Sequence, residues 1–137
     1  MKRILVAVSV ALMLIPLLVG CNAGGDDGRN SEKNAYEQIT PAEAKALMDS
    51  EPDSVILDVR TPAEFAAGHI AGAILIPDDE IGEKAESILT DKEQLILVYC
   101  RSGRRSKNAA NELAALGYTN IKEFGGIMDW EYETVTE

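Results

Sequence analysis

The chain is poor in the residues that build most reactive sites. Its 137 residues include one histidine, His69, and two cysteines, Cys21 and Cys100. That excludes a metal centre built from Cys and His ligands, which needs three or four of them. If Cys21 is acylated, as argued below, Cys100 is the sole remaining thiol and no intramolecular disulfide can form. Basic residues are also scarce, 13 against 23 acidic ones, for a net charge of −10. So acidic a surface argues against nucleic acid or anionic lipid as a diffuse partner. No internal repeat is visible. The longest apolar run, Ile4 to Val19, falls short of the ~20 residues of a comfortable membrane-spanning helix, and Pro16 interrupts it.

That run has another reading. "MKRILVAVSVALMLIPLLVGC" opens with Lys2 and Arg3 and then turns apolar, the layout of a secretory signal. Its end, "LVGC" from Leu18 to Cys21, resembles the bacterial lipobox, in which a lipid is attached to the cysteine and the peptide is cut before it. Residues 1–20 are thus expected to be a lipoprotein signal peptide. Their loss would take away two positive charges and no negative ones. Residues 21–34, Gly-, Asn- and charge-rich, form a lipidated flexible tether on this reading, and residues 35–137 the domain. The protein is then exported and anchored to a bacterial membrane through Cys21, facing the periplasm or the exterior. Asn22, rather than Asp, suggests passage to the outer membrane in a Gram-negative cell.

Within the domain, strand and helix signals alternate. "AYEQI" is a short strand. "TPAEAKALM" and "TPAEFAAG" open with the same grammar: Thr40 or Thr61 as N-cap, Pro41 or Pro62 at the first helical position, Glu43 or Glu64 completing a capping box. "SVILDV", "AILI", "QLILVY" and "NIKEF" read as strands, with "QLILVY" the most apolar and so the centre of the sheet. "DDEIGEKAESIL" and the stretch from about Ser106 to Leu116 read as helices, the latter stopped by Gly117, and "GIMDWEY" as a final helical turn or two. This order predicts an α/β fold, a mostly parallel central sheet flanked by helices on both faces.

The chemistry concentrates in "YCRSGRRS", residues 99–106. Cys100 directly follows the central strand and precedes a helix, the carboxyl edge where open parallel sheets place their sites. Loop N–H groups and the helix N-terminus make an anion cradle there. Gly103 allows a tight turn and Ser102 adds a donor. Arg101, Arg104, Arg105 and Lys107 crowd the thiol. Such surroundings lower a cysteine pKa from ~8.5 to roughly 3.5–7.5, and they draw an anion toward a protein that otherwise repels it. A buried structural cysteine beside solvated arginines is the competing reading; four basic residues in seven positions, with Gly and Ser interposed, count against it. Phosphate-ester cleavage is disfavoured as well. Phosphatase loops of this type carry Arg six positions after the Cys, where this chain has Ser106, and no general acid lies within the motif.

"CRSGRRS" resembles the six-residue active-site loop of thiosulfate sulfurtransferases in the rhodanese family. "DVRTPAEFAAGHIAGA", residues 58–73, is similar to the family's upstream signature and "GGIMDW", residues 125–130, to its C-terminal Gly-Gly…Trp element. Ala71 departs from the family's usual Pro after "GHI", a difference in turn stiffness. The resemblance implies that Cys100 attacks the outer sulfur of thiosulfate, expels sulfite and carries the sulfur as a persulfide. A thiol, cyanide or a protein cysteine then takes it. Arg105, with Arg101 or Arg104, would bind the sulfonate oxygens; Ser102, Gly103 and the loop N–H groups would hold the persulfide. Sulfite is a good leaving group, so no general base is required. No metal, no other cofactor and no nucleic acid enter the scheme.

Other candidates are assigned plainer roles. His69 is expected to make a structural hydrogen bond rather than act as a base, Trp130 to pack, and Asp78–Glu80 to complement a helix dipole. Asp58 and Arg60, on the same sheet edge as Cys100, are expected to brace the site. Two functions fit the loop: an enzyme turning over thiosulfate, and a persulfide carrier that delivers sulfur to a partner with little thiosulfate turnover.

Overall fold

The computed structural model describes residues 35–137; the expected signal peptide (1–20), the expected lipidation at Cys21 and the expected tether (21–34) fall outside the described residues. Five strands make the main sheet: β1 (Glu37–Gln38), β2 (Val55–Asp58), β4 (Ile74–Leu75), β5 (Ile96–Cys100) and β6 (Ile121–Gly126). Their spatial order is β1-β6-β5-β2-β4, and every pairing is parallel. β5 lies in the middle with all five residues buried, as its continuous apolar run requires.

Side-chain alternation sorts the sheet into two faces. Leu57, Ile96, Val98, Cys100 and Ile121 point to one side, where α3 (Ile81–Ile88) and α4 (Arg104–Ala115) cover them through Ile81, Ala85, Ala109, Ala110 and Leu113. Ile56, Leu97, Tyr99 and Phe124 point to the other, against Ala44 and Leu47 of α1 (Pro41–Ser50) and against Trp130. Each fully buried aliphatic side chain contributes about 1.5–3 kcal/mol, so the sandwich is held chiefly by these two layers. Helices thus cover both faces, as the sequence pattern implies.

Both capping boxes form. Thr40 Oγ1 accepts from the Glu43 N–H at 3.2 Å, and Thr61 Oγ1 from the Glu64 N–H at 3.3 Å at the head of α2 (Pro62–Ala67). Three boundaries differ from the sequence reading. The acidic stretch Asp78–Glu80 is a separate 3-10 turn ahead of α3. α4 begins at Arg104, two residues earlier than expected, because Gly103 adopts φ 105° and turns the chain directly into the helix. Only Ile127–Asp129 of the last segment is helical, as one 3-10 turn. Trp130 is extended and anchored in the core, and the chain then forms β7 (Thr134–Val135), antiparallel to β3 (His69–Ile70). Two-residue strands carry no periodicity to read; only the pairing across 60-odd residues creates them.

Candidate active site

Cys100 ends the central strand and is 1% exposed. Its loop closes back on the sulfur: the Gly103 N–H donates to Sγ at 3.0 Å, and Ser106 Oγ lies 3.4 Å from it. Gly103 is the N-cap of α4 and provides no side-chain cap, so the first-turn N–H groups stay directed at the loop. Burial pushes the thiol up, yet the balance runs the other way. The Ser106 hydroxyl and the N–H groups of Ser106, Gly103 and Ser102 together hold it below its ordinary value. Hydrogen bonds from the loop, more than the surrounding arginines, favour the thiolate.

The arginines divide. Arg105, expected to bind substrate and to activate the thiol, makes a bidentate pair with Glu64 of α2, Nη1 to Oε2 and Nη2 to Oε1, both at 2.8 Å. Glu64 is the same residue that caps α2, its Oε2 also accepting from the Thr61 N–H. The pair holds the Glu64 carboxyl down at about 2 and raises Arg105. It also offsets the unfavourable placing of a cation at a helix N-terminus. Arg101 and Arg104 are exposed and form no ion pair among the described residues. Arg101 shares a shallow depression with Arg60, Glu64, Gly68, Ile127 and Met128, the last 63% exposed.

Asp58 and Arg60 form a buried pair, Arg60 Nη2 to Asp58 Oδ2 at 2.6 Å, and the same nitrogen donates to the Gly68 carbonyl at 2.7 Å. They fasten the end of β2 to the turn after α2, next to the depression, and are structural braces in this geometry. His69 stacks on Phe65 with ring centroids 3.7 Å apart, and its Nδ1 lies 2.9 Å from the Phe65 carbonyl oxygen. Trp130 packs against Phe124 at 5.6 Å. Both take the plainer roles expected of them. Gly126 completes the site's floor: a Cβ there would lie 1.9 Å from the Arg101 carbonyl oxygen, so the strand and the cysteine loop touch only because the residue is glycine.

Three contributors went unread in the sequence: Glu64 as the partner of Arg105, Ser106 beneath the sulfur, and Glu123, 2% exposed, whose Oε1 is 2.6 Å from Ser106 Oγ. A signal for the last existed. In "NIKEF" the period of two places Glu123 on the same face as the core residue Ile121.

The rhodanese-like domain family matches residues 40–133. Thiosulfate sulfurtransferase PspE of Escherichia coli (strain K12) is 38% identical over 73 residues, 53% of this chain and 70% of that protein. The tRNA uridine(34) hydroxylase of Escherichia coli (strain K12 / DH10B) is 30% identical over 112 residues, 78% of this chain and 32% of that protein. Among solved structures, a rhodanese with anions from E. coli matches with a TM-score of 0.58 and 34% identity, covering 61% of this chain and 99% of that one. The chain belongs to the rhodanese-like domain family, and its relatives tie it to sulfur transfer.

Proposed function

We propose that the protein moves sulfane sulfur from thiosulfate, or a similar anionic donor, to a thiophilic acceptor through a persulfide on Cys100. One observation carries the reading. A single thiol ends the central strand, accepting from the Gly103 N–H at 3.0 Å and lying 3.4 Å from the Ser106 hydroxyl, beside a helix N-terminus with no side-chain cap. Such a setting stabilises a sulfur anion, whether thiolate or persulfide. The naming of PspE as a thiosulfate sulfurtransferase and the anions in the E. coli rhodanese structure agree with it.

The chemistry balances without a cofactor. The Cys100 thiolate attacks the outer sulfur of thiosulfate; a new S–S bond forms as the old one breaks, and sulfite leaves with the electron pair. Cyanide or a thiolate then attacks the persulfide's terminal sulfur and returns Cys100 as thiolate. Arg101 and Arg104 are the side chains open to sulfonate oxygens, while Arg105 must first exchange Glu64 for substrate.

That Glu64 pairing favours a second reading, a persulfide carrier that takes sulfur from a less anionic donor. The two separate by experiment: thiosulfate:cyanide turnover by the purified protein, set against persulfide transfer to thiols. Rapid thiocyanate formation supports the enzyme; transfer to thiols with negligible thiosulfate use supports the carrier. Export and a lipid on Cys21 complete the proposal, and place either activity at a membrane surface.

A further inference from the structure

A hydroxyl has one proton to give, and Ser106 is surrounded by groups that want it. Its Oγ lies 2.6 Å from Glu123 Oε1, 3.0 Å from the Gly103 carbonyl oxygen, 3.3 Å from the Gly125 carbonyl oxygen and 3.4 Å from Cys100 Sγ. Ser106 is fully buried, Glu123 is 2% exposed and Cys100 1%. The contacts among them are direct. At 2.6 Å two oxygens must share a hydrogen, either from the hydroxyl to a carboxylate or from a protonated carboxyl to the hydroxyl.

Glu123 is held in place for this. Its Oε1 also accepts from the Gly125 N–H at 2.8 Å, which fixes the carboxyl against the β6 end of the loop. No cation neutralises it: among the described residues Glu123 forms no ion pair, and its neighbour Lys122 points across the sheet to Glu37. The other charges around the thiol are already engaged or outside. Arg105 of α4, which feels both Cys100 and Asp78 of the 3-10 turn, is closed on Glu64 of α2. Arg60 from the end of β2 is closed on Asp58, and Arg101 of the loop and Arg104 at the start of α4 are exposed. A buried carboxylate and a buried thiolate joined by one hydroxyl repel each other, and only one of them can receive its proton.

We propose that Cys100 and Glu123 share one proton through Ser106 and titrate as a pair, with Glu123 the internal acceptor that lets the thiolate form without a histidine. In one arrangement the thiol donates to Ser106 Oγ and the hydroxyl donates to the Glu123 carboxylate. In the other the Glu123 carboxyl donates to Ser106 Oγ and the hydroxyl donates to the thiolate. Two protons shift together, from Sγ to Oγ and from Oγ to Oε1; no heavy-atom bond changes and nothing is oxidised. Glu123 acts through Ser106, so it is a positioning residue and does not touch the substrate. This rests on Cys100 being the working thiol, but not on the identity of the donor.

The test is the ultraviolet absorbance of the Cys100 thiolate against pH, read on the full-length protein with Cys100→Ser as blank. A coupled pair gives two steps separated by more than about one pH unit, with a partial plateau between them. Glu123→Gln keeps the shape but cannot take the proton, so it should give a single step at a midpoint between the two wild-type steps. Ser106→Ala removes the bridge and should also give one step. Because the titration uses no sulfur donor, its outcome is independent of whether thiosulfate is turned over. A single wild-type step, or two steps that persist in both Glu123→Gln and Ser106→Ala, would overturn the proposal.

Discussion

At the residue scale the site is a division of labour that charge counting hides. Four basic residues near Cys100 suggest electrostatic activation, yet the hydrogen bonds at the sulfur come from Ser106 and the loop N–H groups, and Arg105 answers to Glu64. Ser106→Ala should therefore raise the pH at which half of the thiol is ionised by more than Arg105→Ala does, as thiolate absorbance would show. The Arg105–Glu64 pair carries its own pH dependence. Its folded carboxyl sits at about 2, below the ~4.3 of an unfolded Glu. The stabilisation is present above pH ~4.3 and is lost as pH falls through about 2. For a partly exposed pair it is worth about 1 kcal/mol at most. Urea unfolding should show Arg105→Ala destabilised by that amount at pH 6 and by much less at pH 2. Cys100 and its loop were legible because their spacing is local. Glu64 was legible only as a cap, since its second partner lies 41 residues away.

At the element scale, the caps and the central strand read directly from sequence because their signals span four or five residues. Thr61, Pro62 and Glu64 specify the start of α2, and the run Ile96–Cys100 specifies a buried strand. The β3–β7 pair did not read, and neither did the early start of α4, which hangs on the backbone of Gly103 rather than on any side chain. The contact between β6 and the cysteine loop is the tightest such dependence. Gly126→Ala would place a methyl against the Arg101 carbonyl, backbone on backbone. Thermal unfolding should report a loss of about 1–3 kcal/mol or more, and sulfur transfer should fall further than stability alone explains, since the displaced segment carries the Cys100 loop. An unchanged midpoint with full activity would mean that the loop has room to move. Thr61→Ala should cost about 1 kcal/mol through the lost cap and should also loosen Glu64 from Arg105.

At the scale of the whole molecule, a chain of net charge −10 leaves Arg101 and Arg104 exposed beside Cys100 at one sheet edge, and on the proposed function these two direct small anions there. The proposed lipid on Cys21 would fix where that site works. Cys21→Ala is expected to shift the protein from the membrane fraction to the soluble one while leaving sulfur transfer by the purified protein unchanged; a soluble wild type bearing an unmodified Cys21 would contradict the anchor. Fold class was legible at this scale because alternation of strand and helix is a chain-long pattern, whereas the pairing of Arg105 with Glu64 and of Ser106 with Glu123 rests on side-chain contacts across the fold that no local pattern reports. The central claim, that Cys100 carries the sulfur, is tested most directly by intact-mass measurement of the purified protein after exposure to thiosulfate. Wild type should gain the mass of one sulfur, located on Cys100, and lose it on addition of cyanide with one equivalent of thiocyanate released. Absence of that adduct in wild type, or the same adduct and turnover in Cys100→Ser, would contradict it.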